Sequence, residues 1–109
     1  MIEAHIEQVQ GKFRDGKHPI YRLTQPLTYK ELTAPAGFET DLATRFMFSA
    51  IIAPPKDKRI WAAAAIHDYS INQNRLDIGN DYFSEILKIN RVPLWRRWLM
   101  VTFVRWWTV

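Results

Sequence analysis

The residues best suited to chemistry are His67 and Asp68, which follow four consecutive alanines, Ala62–Ala65. The alanines predict a helix, and small side chains one turn earlier let a second helix or a ligand approach the imidazole. Adjacent helical residues point about 100° apart, so the two side chains need not share a partner. His67 is predicted to be a general base and Asp68 a metal ligand or loop anchor. In the alternative, His67 is a hydrogen-bonded core histidine and Asp68 caps a loop.

Asp41 is a further candidate because it follows a Pro-Ala-Gly-Phe turn at residues 35–38, and structured loops often carry functional residues. We expect its carboxylate to converge with His67 and Asp68. There it would assist the base or bind a divalent metal such as calcium together with Asp68. The alternative is an Asx turn or a helix cap that only orders the backbone.

Three polar residues, Asp77, Asn80 and Asp81, open the next predicted helix. One of them is expected to be the helix cap, a position that favours short polar side chains. One of the three is also expected to orient His67 from across the helix pair, because a carboxylate is the usual group that fixes the tautomer of an imidazole.

The C-terminal segment combines large aromatic residues with three arginines, Arg96, Arg97 and Arg105. A helix that is apolar nearly all round is usually buried, so we expect Trp98 and Phe103 to pack against the His67 helix or a partner subunit. Trp95, Trp106 and Trp107 lie in the same segment. Aromatic residues beside arginine also suit a membrane interface, which is the alternative.

A β run that starts with the alternating residues Ile2, Ala4 and Ile6 and ends near Gly11, together with three later β-type runs, predicts a small antiparallel meander in the N-terminal third. A structured loop leads to Asp41, and a short helix is expected between Leu42 and Ile52. Three packed helices should follow, over Lys58–Ile71 with Asp57 as its cap, over Asp77–Ile89, and from Pro93 onward. The expected fold is a single α+β domain spanning residues 1–109.

Composition excludes several classes of protein. The hydrophobic fraction is 48%, enough for a packed core. Cysteine is absent, so packing alone must hold the fold. The net charge of +4 comes from scattered basic residues, which makes nucleic-acid binding a minor alternative. We expect neither a signal peptide nor a transmembrane segment, since the apolar stretch at Val92–Val109 is short and contains arginine. Phosphate loops, zinc-type clusters and nucleophile elbows are not found.

Four motifs, in order, resemble those of the domain-of-unknown-function family 1353, which is common in phages and prophages. They are Pro35–Thr44, Ala64–Tyr69, Asn80–Phe83 and the C-terminal run Val92–Arg97 with Val104-Arg105. Thr44 stands where the family has serine, and Ser70-Ile71 where it has Leu-Tyr. Either Asn80 or Asp81 fills its acidic position. The resemblance implies a phage origin, with the host cytoplasm or the virion as location, and supplies no activity.

The His-Asp-Tyr helix is also loosely similar to that of secreted phospholipase A2. Carried over, His67 would activate a water, Asp68 would bind calcium, and Asp81 or Asp77 would orient His67. The chain lacks the cysteines and the glycine-rich calcium loop of that enzyme, so Gly37-Phe38 would have to supply carbonyl ligands. This analogy suggests ester or lipid hydrolysis.

The alternative is a non-enzymatic virion or accessory protein in which the same polar residues stabilise the fold. Expected partners are other phage proteins or the cell envelope, and the Trp-rich helix is a candidate contact for an oligomer.

Overall fold

The structure is a computed structural model that describes residues 1–14, 18–40 and 58–108. Within these residues, five strands precede three helices, which confirms the predicted α+β class. In chain order the elements are β1 (Ile6–Arg14), β2 (His18–Leu23), β3 (Leu27–Tyr29), β4 (Leu32–Ala34), β5 (Glu39–Thr40), α1 (Lys58–Asn72), α2 (Leu76–Ile89) and α3 (Leu94–Thr108).

The first sheet has β2 at its centre, with β1 and β5 antiparallel on either side. The register of β1 against β2 shifts between Gln8 and Phe13. Gly11 lies in this irregular stretch with a φ of 74°, a conformation that glycine adopts without steric cost. On the other side, Thr40 of β5 pairs with Tyr21 of β2. Thr40 is buried, and β5 contacts α1.

The second sheet is the hairpin β3–β4, joined by a two-residue connection at Lys30-Glu31. Residues alternate between buried and exposed along both strands, as expected for a sheet with one face on the core. The buried face packs against α1 and contributes four residues to the core: Leu27, Tyr29, Leu32 and Ala34. Lys30 has a φ of 52°, in the left-handed region that favours glycine.

Helix α1 is the central element, because it contacts α2, the hairpin and β5. Its buried side chains are mostly small, which lets neighbouring backbones come close. At Gly79 of α2 the approach is closest, and a Cβ there would lie 2.0 Å from Ser70 Oγ. Glycine is therefore the residue that permits this helix crossing.

Each of α1 and α2 is followed, two positions after its last residue, by a residue in the left-handed conformation. Asn74 has a φ of 57° and Arg91 a φ of 59°. After α2, the Val92 amide donates to the Leu87 carbonyl and the Arg91 amide to the Lys88 carbonyl. This pattern is a Schellman motif, which satisfies carbonyl groups that the helix leaves open.

The helix boundaries agree closely with the sequence-based expectations, whereas the first strand does not. β1 begins at Ile6 instead of Ile2. The predicted carboxylate or amide cap of α2 is also wrong, because Arg75 occupies the N-cap position without a side-chain cap bond. Asp77 lies in the first turn and pairs with Arg75 at 3.4 Å. The expected helix in 42–52 and the cap at Asp57 lie outside the described residues.

Helix α3 packs on α2 and does not bury Trp98, whose surface is 66% exposed. The prediction that Trp98 packs against the His67 helix is therefore wrong, and burial by a partner subunit stays a prediction. The side chain of Phe103 lies outside the described part of the structure. Among the described residues, no helix combines the length and the apolar character needed to cross a bilayer.

Candidate functional site

His67 lies in α1 with its ring turned toward α2, and only 2% of its surface is exposed. Its Nε2 is 2.8 Å from Oδ1 of Asn80. The ring also meets Phe83 edge to face, with 5.5 Å between the centroids. His67 is therefore enclosed between two helices, with one polar and one aromatic partner from α2.

The Asn80 amide fixes the tautomer of His67. An amide oxygen only accepts hydrogen bonds, so Nε2 carries the proton and Nδ1 carries the lone pair. Burial lowers the pKa of His67 below its ordinary value of 6.5, and the hydrogen bond to Asn80 opposes this shift in part. The imidazole is consequently neutral near pH 7.

Asp68 is connected to the first sheet through Thr40. The Thr40 hydroxyl donates a hydrogen bond to Asp68 Oδ2. Thr40 is almost completely buried and Asp68 is half-buried. The two neighbouring residues of α1 thus have different partners, His67 on α2 and Asp68 on β5, as the helical geometry predicts.

Close packing between α1 and α2 sets the position of the His67–Asn80 bond. Ser70 Oγ donates to the His67 carbonyl at 2.6 Å. The same oxygen occupies the space beside Gly79, the residue before Asn80. The short distance between the helices at Gly79 therefore determines which α2 side chain reaches His67. A lone glycine inside a helical pattern is the sequence signal that could have identified this contact.

The structure gives the predicted orienting residues different surroundings. Asn80 contacts His67, whereas Asp81 and Asp77 are exposed. Asp41 lies outside the described residues, so its convergence with His67 and Asp68 stays a prediction. Within the described ranges, no group of three or more histidine, cysteine or acidic side chains is arranged to hold a metal ion. The described residues therefore include no set of ligands for the metal that Asp68 and Asp41 are expected to bind, and this role stays a prediction.

A second polar cluster, not predicted from the sequence, joins the hairpin to α2. Tyr29 donates to Glu85 and Tyr82 donates to Glu31, each at 2.5 Å. The two tyrosine rings meet edge to face at 5.1 Å, and Lys30 Nζ lies 2.7 Å from Glu85. The hydrogen bond to Glu31 together with burial raises the pKa of Tyr82 to about 12. Burial and Glu85 likewise raise the pKa of Tyr29.

Comparison with protein families gives a match over most of the chain. The family described as "Protein of unknown function (DUF1353)" matches residues 21–104, which is most of the chain and includes α1, α2 and the hairpin. Neither the search of curated proteins nor the search of solved structures gave a match.

Proposed function

We propose a function on the premise that this chain belongs to the DUF1353 family, whose description assigns no activity. The proposal is that the chain is a non-enzymatic phage protein, an accessory factor or virion component acting in the host cytoplasm or the virion. In it, His67 and Asp68 hold the fold together. The observation that carries the proposal is the enclosure of His67, which is 2% exposed and bonded to Asn80.

The environment of His67 is poorly suited to general-base catalysis. A general base must come within hydrogen-bond reach of its substrate, and here Phe83 and α2 cover the ring. An amide partner also gives no charge to stabilise an imidazolium. In serine-protease triads, replacing the aspartate partner by asparagine lowers kcat about 10⁴-fold.

The same contacts are well suited to holding secondary structure elements together. His67 joins α1 to α2 through Asn80, and Asp68 joins α1 to β5 through Thr40. A buried polar group that loses its partner costs about 1–3 kcal/mol. For a chain of this size, two such contacts are a substantial part of the total stability.

A hydrolase remains the second candidate because one nitrogen of His67 is chemically suited to take a proton. Nδ1 carries the lone pair of a neutral imidazole, and the described residues give it no hydrogen-bond partner. In this reading His67 is the base, Asp68 binds calcium, Asp41 assists, and the substrate is an ester or an envelope lipid.

The test compares the stability and the activity of His67 variants. We expect His67→Gln and His67→Asn to lower the free energy of unfolding by about 1–3 kcal/mol. His5→Gln, at an exposed position, is the matched control and should melt like the wild type. A panel of esters and phospholipids, with and without calcium, should show no hydrolysis by the wild type. Hydrolysis that disappears in a stably folded His67→Gln variant would establish the second candidate instead, and Asp68→Asn would then test the calcium ligand.

A further inference from the structure

The outer face of α3 is unusually apolar for an exposed surface. Leu94 is 71% exposed, Trp98 is 66% exposed and Trp95 is 50% exposed. Together with Leu99 they line a shallow apolar depression. Residues 94, 95, 98 and 99 lie on one side of a helix with 3.6 residues per turn, so the four side chains form one surface, which we call the tryptophan face.

Contacts of α3 with the core fix the orientation of this surface. Met100, on the side opposite the tryptophan face, is buried in the main core, and Val101, at the edge of that face, packs against the same core. These contacts determine which side of α3 points outward, so the tryptophan face is presented by a packed helix. Exposed tryptophan pairs beside leucine are uncommon on monomer surfaces and usually mark an interaction site.

The segment that forms the tryptophan face carries basic side chains and no acidic ones. The last acidic residue of the chain is Glu85, and the residues after it include five basic side chains: Lys88, Arg91, Arg96, Arg97 and Arg105. Within α3, the Arg96 guanidinium lies 5.3 Å from the centre of the Trp95 ring. An anionic partner is therefore favoured, whereas a second copy of this chain would bring like charges together.

We propose that the tryptophan face docks onto the surface of an anionic phospholipid bilayer, with α3 lying in the headgroup region. Tryptophan is favoured at this depth because its ring is apolar and its N–H can remain hydrated. Basic residues beside the ring add attraction to anionic lipids. The proposal does not depend on the role of His67.

Co-sedimentation with lipid vesicles tests the proposal directly. The wild type should bind vesicles of phosphatidylcholine and phosphatidylglycerol in equal parts, and bind phosphatidylcholine alone much more weakly. Added salt should weaken the binding.

The double variant Trp95→Ser/Trp98→Ser should lose about tenfold or more in affinity, since it removes the apolar contact. Arg91→Gln, which removes one exposed charge, should lose about fivefold. Trp61→Phe in α1 is the matched control and should bind like the wild type.

A second measurement uses the wild type alone, so it does not depend on the folding of any variant. Phosphatidylglycerol with brominated acyl chains should quench the tryptophan emission if the tryptophan face enters the bilayer. The proposal is overturned if the wild type stays in the supernatant with anionic vesicles at low salt. It is also overturned if the folded double variant binds as tightly as the wild type. A dimer that this double variant dissociates, without vesicle binding by the wild type, would instead make the face a contact between copies.

Discussion

At the scale of single residues, the partner of His67 decides how the site responds to protons. Asn80 accepts from Nε2 and gives no negative charge, so burial dominates and the pKa of His67 is lowered. A carboxylate at the same position would oppose this shift, since a nearby negative charge favours imidazolium. The site is therefore expected to resist protonation.

The lowered pKa of His67 predicts how the stability of the fold depends on pH. The unfolded chain binds a proton at His67 near pH 6.5, whereas the folded chain binds it only at lower pH. Between these two pH values the unfolded state therefore binds more protons than the folded state. The free energy of unfolding should consequently fall as the pH drops below about 6.5. The slope from one group is at most about 1.4 kcal/mol per pH unit.

Urea unfolding of the wild type and of His67→Gln at a series of pH values measures this effect. Glutamine does not titrate, so the stability difference between the two proteins should narrow as the solution becomes more acidic. A difference that stays constant from neutral to acidic pH would show that His67 has the same proton affinity in both states.

At this scale the divergence of the His67 and Asp68 side chains was predictable, because it follows from helical geometry. Their roles as base and metal ligand stay predictions. Sequence reasoning left open whether Asn80 or Asp81 fills the acidic position of the family motif. The neighbour of His67 on α2 depends on how the two helices cross, and that is set by the contact between Ser70 and Gly79. The lone glycine at position 79 is a local signal of close packing, but it does not identify the residues that meet across the two helices.

At the scale of elements, the crossing of α1 and α2 is the contact most sensitive to side-chain volume. Gly79→Ala should destabilise the protein by about 1–3 kcal/mol through overpacking. This is notable because alanine is the better helix former by about 1 kcal/mol. The added methyl group would lie 2.0 Å from Ser70 Oγ and 3.0 Å from Ser70 Cβ.

A double-mutant cycle separates the clash from helix propensity. In the Ser70→Gly background the space for a methyl group is open, so Gly79→Ala should become neutral or stabilising. Thermal or urea unfolding of the four proteins gives the coupling energy. An equal cost of Gly79→Ala in both backgrounds would mean that the two side chains do not meet.

Element boundaries were predictable where the pattern is strong. The alanine run and the spacing of apolar residues located α1 and α2 to within one or two residues of Lys58–Asn72 and Leu76–Ile89. The strand expected from Ile2 failed for a physical reason. The Ile2 amide and carbonyl bond to the Asn90 side chain instead of a neighbouring strand. Alternation of apolar residues does not distinguish these two partners.

At the scale of the whole molecule, Asn90 joins three distant parts of the chain. It accepts from the Ile2 amide at 2.7 Å and donates to the carbonyls of Ile2 at 2.9 Å and Arg59 at 3.0 Å. Asn90 is itself buried and follows the last residue of α2. The N-terminal segment, the start of α1 and the end of α2 therefore meet at a single amide.

We predict that Asn90→Ala lowers the free energy of unfolding by about 1–3 kcal/mol, because buried backbone groups lose their partners. The Ile2 amide should also exchange its hydrogen with solvent much faster. Asn72→Ala is the matched control, since Asn72 is exposed at the end of α1. Unchanged exchange at Ile2 in Asn90→Ala would show that the N-terminal segment is held by other contacts.

The bond between Ile2 and Asn90 spans 88 positions of the chain. Synthesis on the ribosome proceeds from the N-terminus, so Ile2 has no bond to Asn90 until the end of α2 has been made. Until α2 has left the exit tunnel, α1 has no neighbour for the face that carries His67. The N-terminal sheet can form its hairpin earlier, because β1 and β2 are adjacent in sequence. A stalled nascent chain that ends before α2 would therefore leave the buried face of α1, which carries His67, uncovered and open to chaperones.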